Sequence, residues 1–369
     1  MNLDFSNDQK FLQEEARKFL EKEEALSRNR SVLESESHID QELWNKIVDL
    51  GWTGIRIPEE YGGLGLGHLE LCVIAEELGR YLAPVPFSSS VYLFTEAIIN
   101  YANEEIKKDL LPKLVSGEVI GTLAVTEELH APSKSNIKVS SNKGDLNGKK
   151  IAVPDAGIAT HSLVVSKTEK GISLQLVDLA NSGIKIEHQE NIDESRGHFS
   201  IEFNNVKSDL IGDDNSGWEL YESIINQAAV LFSYEQIGGS QAALDMAINY
   251  SKERYAFGRP IGSYQAIKHK LADMYVALTL AKSNCYYAAW ALSDSADLPS
   301  ASATARVSAT KAYQLCSQEN IQTHGGNGFT WEYDCHMFYR RSKLLSLNIG
   351  SLSNWREKLV TSLEQSNIN

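Results

Sequence analysis

The chain has 369 residues, a formal net charge of -14 and 42% hydrophobic residues. A chain of this length and composition can bury large cores in two or three globular domains. Its acidic balance argues against a protein that coats nucleic acid, because such proteins carry basic surfaces. It has neither an apolar run of membrane-spanning length nor a signal-peptide core. We therefore expect a cytoplasmic protein with no membrane span and no nucleic-acid partner.

The four cysteines do not follow the spacing of a metal site. They are Cys72, Cys285, Cys316 and Cys335. Close CxxC-type pairs are the usual sign of metal binding, and reduced thiols are the rule in a cytosol. We expect structural thiols and no bound metal.

Residues 1–119 are predicted to form a helical domain. Ser6 and Gln9 have the spacing of a capping box at the start of a helix. Apolar residues then recur at helical spacing. A further helical pattern ends at Gly51, and another extends from His68 to Tyr81.

Residues 120–212 are predicted to form a small antiparallel sheet domain. The apolar runs 121–125, 161–165, 173–177 and 198–203 favour strands, and turns rich in Asn, Gly and Asp separate them. The helical period returns in residues 213–369. We expect a C-terminal four-helix bundle there that makes the oligomer contacts.

The segment KERYAFGRPIGSYQ interrupts this last helical region. Gly258 and Pro260 explain the interruption, because glycine permits unusual dihedrals and proline cannot continue a helix. Arg254 is suited to a bidentate contact with a phosphate, and Phe257 to packing on a planar ring. Gln265 offers a polar side chain; taken singly, each of these also fits an ordinary surface or core role.

A glycine-rich turn, QTHGGNG, follows a later helix. Gly325 and Gly326 expose backbone N–H groups that suit a phosphate, although a helix C-cap explains them equally well. Gln322 offers a polar edge, and His324 is a candidate catalytic group. In the sheet domain, Thr126 follows a strand and presents a hydroxyl to a ligand or to an ordinary turn.

Together these pieces resemble the acyl-CoA dehydrogenase family over nearly the whole chain. The resemblance rests on RYAFGRPIGSYQAIKHKLADM, QTHGGNGFTWEY, NDQKFLQEEARKFL and GIRIPEEYGGLGLG. It implies a mainly helical fold with a helical domain, a central β-barrel-like sheet domain and a C-terminal four-helix bundle. It also implies FAD, α,β-dehydrogenation of an acyl-CoA thioester, and an electron-transferring flavoprotein that reoxidises the flavin.

The resemblance further implies a flavin site shared between two subunits. In the family, one subunit holds the isoalloxazine ring, and its neighbour reaches over to the pyrophosphate and adenine. The reaching residues of this chain would be Arg254, Phe257, Gln265, Gln322, Gly325 and Gly326.

The residues that serve a flavin and substrate in the same chain depart from the family pattern. Thr126 matches the start of the sheet-domain motif T-E-P-G-x-G-S-D, but the family's ligand-contacting serine falls at Pro132. The K-x-W-I-T-N segment carries Ala152 and Pro154 in place of its tryptophan and threonine. Proline offers neither an N–H group nor a hydroxyl to a flavin.

The catalytic base is not identified. The base position of most members corresponds to Ile349, and the alternative position of one branch corresponds to Ala228. Glu235 and Asp155 are the remaining candidates. Glu235 is seven residues after Ala228, about 10 Å along the helix axis, which is too far for the usual substrate pose.

Residues for a neighbour's FAD are thus present, whereas residues for local chemistry are missing. This asymmetry predicts a partner subunit of a heteromeric acyl-CoA dehydrogenase, such as those known for steroid side-chain substrates. Three alternatives stay open: a self-sufficient homo-oligomeric dehydrogenase with a relocated base, a flavin-dependent monooxygenase of the same fold, and a binding protein without a redox role.

Overall fold

The computed structural model describes residues 5–294 and 297–368. The helices are α1 (Asn7–Lys22), α2 (Ala25–Leu33), α3 (Gln41–Asp49), α4 (His68–Arg80), α5 (Glu96–Tyr101), α6 (Glu104–Val115), α7 (Gly217–Glu253), α8 (Gln265–Asp294), α9 (Leu298–His324), α10 (Cys335–Leu345) and α11 (Leu352–Ile368). The strands are β1 (Gly121–Ala124), β2 (Ser140–Asn142), β3 (Asp145–Pro154), β4 (His161–Lys167), β5 (Ile172–Asp178), β6 (Ile184–Gln189), β7 (His198–Lys207), β8 (Asp209–Ile211), β9 (Tyr255–Ala256) and β10 (Arg259–Pro260).

Contacts divide the chain into two compact units. The helical unit contains the described residues of Met1–Arg30, His68–Ala83 and Ala229–Asn369, and the sheet unit contains Ser31–Gly67 and Pro84–Ala228. The segment around α4 joins the helical unit because α4 packs against α1 and α8. The predicted domains 1–119, 120–212 and 213–369 are consecutive segments of the sequence, whereas the two units are defined by contacts. The three domains remain our proposal for the domain order.

The predicted start of α1 is confirmed. The Ser6 hydroxyl accepts a hydrogen bond from the Gln9 backbone, and the Gln9 side chain accepts one from the Ser6 backbone. This reciprocal capping box satisfies two N–H groups that an open helix end would leave unpaired. α4 begins at His68, also as predicted.

Two glycines allow α4 and α7 to cross with their backbones in contact. A Cβ atom on Gly79 would lie 1.9 Å from the carbonyl oxygen of Glu235, and one on Gly238 would lie 1.8 Å from that of Glu76. Such distances admit only glycine. Glu235, whose backbone lies at this crossing, is 3% exposed.

The sheet is mixed rather than purely antiparallel. Its strand order is β6-β7-β3-β2-β4-β5-β8, with antiparallel pairing at most steps. β1 pairs with β4 in parallel, from Gly121 opposite His161 to Ala124 opposite Val164. The parallel pair arises because a long connection containing the β2–β3 hairpin separates β1 from β4, whereas antiparallel neighbours can be joined by a tight turn.

The predicted fold class is confirmed. Side chains from the buried face of the sheet form one apolar core, which includes Leu146, Val164, Ile201 and Phe203. In the helical unit, α9 packs against α8, α10 and α11. No helix among the described residues combines the length and the apolar character that crossing a membrane requires.

Candidate functional site

The hinge between α7 and α8 is a tight hairpin that projects two candidate side chains. β9 and β10 pair through Ala256 and Arg259, and the Tyr264 hydroxyl donates to the Ala256 carbonyl at 2.9 Å. Phe257 sits at the turn with φ 52° and is 97% exposed. Arg254, just before the hairpin, is also exposed. An ordered hairpin with an outward-facing arginine and aromatic ring is suited to a ligand outside this subunit.

The glycine-rich turn caps α9 and presents open backbone. Gly325 has φ 60°, a conformation that glycine adopts most readily. A Cβ atom added to Gly325 or Gly326 would meet no atom within 4 Å, so close packing in the chain does not demand these glycines. Gly328 differs, because its Cβ would lie 2.4 Å from the Ile321 carbonyl oxygen. Gln322 is exposed beside the turn.

Tyr250 connects the hinge to the glycine-rich turn. Its ring stacks on His324 with centroids 4.0 Å apart, and its hydroxyl accepts a hydrogen bond from Nδ2 of Asn327 at 3.0 Å. Tyr250 lies on the last turn of α7, and its carbonyl oxygen accepts from the Arg254 backbone N–H. The two segments predicted to reach a neighbour's cofactor therefore come together in the helical unit. Gln265 is exposed at the start of α8.

His324 is held by its own helix. Its Nδ1 lies 2.8 Å from the Asn320 carbonyl oxygen, and burial lowers the pKa of the imidazole. A neutral ring stacked on Tyr250 and bonded to the backbone favours a structural role for His324 at the glycine turn.

In the sheet unit, Thr126 lies beside a buried ion pair. Nζ of Lys150 is 2.7 Å from Oε1 of Glu127 and also donates to the Val125 carbonyl. The Glu127 carboxylate further accepts backbone N–H groups from Lys138 and Val139. Burial lowers the pKa of Lys150 to about 8, against the opposing effect of Glu127. The pair fixes the strand end that presents Thr126.

The K-x-W-I-T-N segment contains a β-bulge in this chain. The pairing of β3 with β7 shifts register between Lys150 and Val153, and Ala152 has φ 50° and an exposed side chain. The Pro154 carbonyl accepts a hydrogen bond from the Thr122 hydroxyl at 2.6 Å. A small exposed alanine and a proline leave this edge without the aromatic ring and hydroxyl that the family pattern places there.

Asp155 belongs to a buried polar cluster. Its Oδ2 lies 2.5 Å from the Ser89 hydroxyl and 3.2 Å from Nη2 of Arg196. The same Nη2 donates to the Ser88 hydroxyl at 2.6 Å. Ser88 and Ser89 open a π-helix, Ser88–Thr95, a local structure often found at functional sites. These contacts favour a structural role for the Asp155 carboxylate, which is bonded to two neighbouring side chains.

The family's base positions are apolar and buried in this structure. Ile349 is 7% exposed, and its carbonyl accepts from the Trp355 indole at 3.1 Å. Ala228 is fully buried on α7. Glu235, the other candidate carboxylate, lies 3.7 Å from Nη1 of Arg341. Neither base position carries a side chain that can accept a proton.

No sequence motif identifies the partners of these carboxylates. Arg196 and Arg341 stand far along the chain from Asp155 and Glu235, so no motif spacing links them. Buried arginine is rare enough that a partner is expected, but the partner's identity requires the fold. A second group that no motif identifies consists of His38, His188 and Glu194. One ring nitrogen of each histidine and one carboxylate oxygen of Glu194 all lie within 4.8 Å of one another.

Known proteins resemble this chain along most of its length. A family model described as "Acyl-CoA dehydrogenase, N-terminal domain" matches residues 6–118, and one described as "Acyl-CoA dehydrogenase, C-terminal domain" matches residues 215–354. The 2-methylacyl-CoA dehydrogenase, mitochondrial, of Solanum tuberosum is 31% identical to this chain. The match covers 84% of this chain and 79% of that protein.

Solved structures give the same result. The glutaryl-coenzyme A dehydrogenase in complex with glutaryl-CoA has a TM-score of 0.93 and 27% identity, covering 100% of this chain and 98% of that chain. A variant of the Tcur3481-Tcur3483 steroid ACAD has a TM-score of 0.89 and 29% identity, covering 98% of this chain and 99% of that chain. The family models and these relatives confirm the resemblance: the chain belongs to the acyl-CoA dehydrogenase family of FAD-dependent oxidoreductases.

Proposed function

We propose that this chain is the partner subunit of a heteromeric acyl-CoA dehydrogenase and completes the FAD site of a base-bearing homologue. One observation carries the proposal. Ile349 and Ala228, at the base positions, are buried apolar residues. The neighbour-reaching residues are exposed, except for the half-buried Gly325: they are Arg254, Phe257, Gln265, Gln322 and Gly326. The two remaining carboxylates, Glu235 and Asp155, lie in buried contacts with arginines.

The exposed segments fit a dinucleotide cofactor. Arg254 makes no ion pair within the described residues, so its guanidinium is available for a phosphate. Phe257 offers an exposed ring. Gln265 and Gln322 offer amide groups, and the open space beside Gly325–Gly326 lets a ligand approach the backbone. When bound, FAD supplies the acceptor for the hydride that leaves the β-carbon of the thioester.

The sheet unit offers few side chains that could hold a flavin ring within this chain. Thr126 remains the one candidate at the sheet-domain strand end, where the Lys150–Glu127 pair holds the backbone in place. Ala152 and Pro154 supply neither a ring nor a hydroxyl. We therefore assign the catalytic flavin to the partner chain.

The substrate class is an acyl-CoA thioester bound by the complex. A structural relative at 29% identity is named as a two-component steroid enzyme, which supports a heteromeric assembly and a bulky acyl group. An electron-transferring flavoprotein is the proposed electron acceptor. The cytoplasm is the proposed location, although relatives such as the Oryza sativa isovaleryl-CoA dehydrogenase are named mitochondrial.

A self-sufficient dehydrogenase with a relocated base is the main competing function. It would require Glu235 or Asp155 to take a substrate proton. Glu235 would have to leave a buried arginine, and Asp155 would have to leave both Ser89 and Arg196. A base must come within hydrogen-bonding distance of the proton that it takes, so both rearrangements count against this function.

Co-purification tests the proposal. The chain is produced alone and together with a base-bearing homologue encoded by a neighbouring gene, and FAD content and acyl-CoA oxidation are measured for each preparation. We expect FAD and turnover in the complex and little of either in the single chain. A homo-oligomer of this chain that retains FAD and oxidises an acyl-CoA would overturn the proposal.

A further inference from the structure

Two histidines and a glutamate converge at one place in the sheet unit. His38 lies in the segment before α3, His188 on β6 and Glu194 in the β6–β7 connection. His38 and Glu194 are 156 positions apart in the sequence. Their convergence is therefore a property of the fold, and no sequence spacing reveals it.

The ligand atoms are separated by distances that suit a metal ion. Nε2 of His188 lies 3.0 Å and Nδ1 of His38 lies 3.5 Å from Oε2 of Glu194. A tetrahedral zinc ion with bonds of about 2.0–2.2 Å places its ligand atoms roughly 3.3 Å apart. The two observed separations lie on either side of this value, and the two histidine nitrogens lie within 4.8 Å of each other. Nδ1 of His38 also lies 2.9 Å from the Glu194 carbonyl oxygen, so a bound ion would replace this hydrogen bond.

Neighbouring groups fix the Glu194 carboxylate and contact both histidine rings. Oε1 of Glu194 accepts a hydrogen bond from the Asn191 backbone N–H at 2.6 Å, which leaves Oε2 directed at the histidines. Phe199 contacts both imidazole rings edge-on, with centroids 5.8 Å from His38 and 5.5 Å from His188. A carboxylate ligand that is itself oriented by a hydrogen bond is a feature of metal sites.

The site is also open to solvent. The exposed fraction of the side chains is 15% for His38, 25% for Glu194 and 36% for His188. The two imidazoles are stacked with centroids 4.3 Å apart. An ion lies in the plane of each ring that binds it, so ligation requires His188, the more exposed ring, to turn out of this stack. Its exposure permits that rotation.

We propose that His38, His188 and Glu194 bind a divalent cation of the zinc class. Two imidazoles and one carboxylate are a ligand set that zinc accepts, with water in the remaining position. The ion would pin the segment before α3 to the β6–β7 connection, a structural role independent of the acyl-CoA chemistry. A hydrogen-bonded cluster that binds no metal is the competing interpretation.

Zinc titration of the full chain tests this site. After treatment with a chelator, Zn²⁺ binding is measured by isothermal titration calorimetry, and the melting temperature is measured with and without Zn²⁺. We expect one ion per chain and a higher melting temperature in its presence, because a ligand that binds only the folded state stabilises it. The four cysteines are buried and so do not compete as exposed ligands.

Three substitutions remove one ligand each. His38→Asn suits the φ of 59° at this position, since asparagine tolerates the left-handed region. Glu194→Gln retains an acceptor for the Asn191 N–H, and His188→Gln changes a partly exposed strand residue. Each should lower the zinc affinity roughly tenfold or more. Replacing a residue that only supports a metal ligand already causes a loss of this size.

His130→Gln is the matched control. His130 lies 3.3 Å from Glu128, but it is 59% exposed and belongs to no three-ligand group within the described residues. Its replacement should leave zinc affinity unchanged. Absence of zinc binding by the unmodified chain, or unchanged affinity in His188→Gln, would overturn the proposal.

Discussion

Oε1 of Glu235 lies 3.7 Å from Nη1 of Arg341 inside the helical unit, and both side chains are almost fully buried. Glu235 also raises the pKa of a second buried arginine, Arg306, which burial lowers to about 9. One carboxylate thus interacts electrostatically with two buried guanidinium groups. This arrangement gives the buried Glu235 carboxylate a structural role in the helical unit.

Glu235→Gln is expected to destabilise the chain without removing a catalytic group. Removing one partner of a buried ion pair typically costs about 3–5 kcal/mol, because the remaining charge stays buried. Chemical denaturation should show a loss of this order in the free energy of unfolding. The turnover number of the folded complex should be unchanged.

Asp245→Asn provides the comparison. Asp245 pairs with Arg80 at 2.7 Å, but this pair is partly exposed. Exposed ion pairs contribute about 0–1 kcal/mol to the free energy of unfolding, so Asp245→Asn should cost much less stability than Glu235→Gln. A stable Glu235→Gln complex that has lost its turnover would identify Glu235 as a relocated base.

Arg254→Ala is expected to weaken FAD retention by the assembled complex. A hydrogen bond to a charged group is worth about 1.5–3 kcal/mol, so FAD should be released roughly tenfold more readily or more. The measurement is the FAD that remains bound after dilution into flavin-free buffer.

Arg259→Ala is the control for this experiment. Arg259 lies in the same hairpin, but its guanidinium sits over the Tyr264 ring of its own chain at 3.9 Å. Its removal should leave FAD retention near that of the unmodified complex. Equal retention in both variants would contradict the role given to Arg254.

The buried Lys150 should give stability a specific pH dependence. Its pKa is lowered from 10.5 to about 8, chiefly by burial. The unfolded chain therefore binds the proton more strongly than the folded chain between these two pH values, so the stability contributed by this residue rises with pH. This contribution of Lys150 to the free energy of unfolding is complete above pH 10.5 and is lost as the pH falls to about 8.

Lys150→Met isolates this contribution, because methionine has no proton to bind. The free energy of unfolding of the unmodified chain, minus that of Lys150→Met, should increase from pH 8 to pH 10.5. Urea denaturation at a series of pH values gives this difference. A constant or decreasing difference would show that folding does not lower the pKa of Lys150.

Ile349→Glu is expected not to restore an efficient enzyme. A positioned general base contributes about 10²–10⁴-fold to a rate, but only when substrate and flavin are held in register with it. Pro132, Ala152 and Pro154 leave that positioning incomplete. Turnover by the substituted single chain should remain far below that of the complex, and turnover equal to the complex would show that the base was the only missing part.

The sequence predicted elements well where local signals decide the structure. The capping box at Ser6 and the start of α4 at His68 depend on neighbouring residues, and both are confirmed. The parallel pairing of β1 with β4 was not predicted, because strand neighbours depend on the whole connection between them.

The candidate site divides in the same way. Arg254 and Gly325 belong to contiguous motifs and were predicted from the sequence, although their role toward FAD remains a proposal. The burial of Glu235 could not be predicted, since it depends on the helix crossing at Gly79 and on Arg341, far along the chain.

Acyl-CoA-dependent reduction of an artificial electron acceptor by the purified single chain, supplied with FAD, tests the partner-subunit assignment most directly. Short, branched and steroid-side-chain thioesters serve as substrates, and the complex with a base-bearing homologue is the positive control. We predict turnover by the complex and none above background by the single chain, because Ile349 and Ala228 leave the α-proton without a base. Robust turnover of any of these thioesters by the single chain would contradict the assignment.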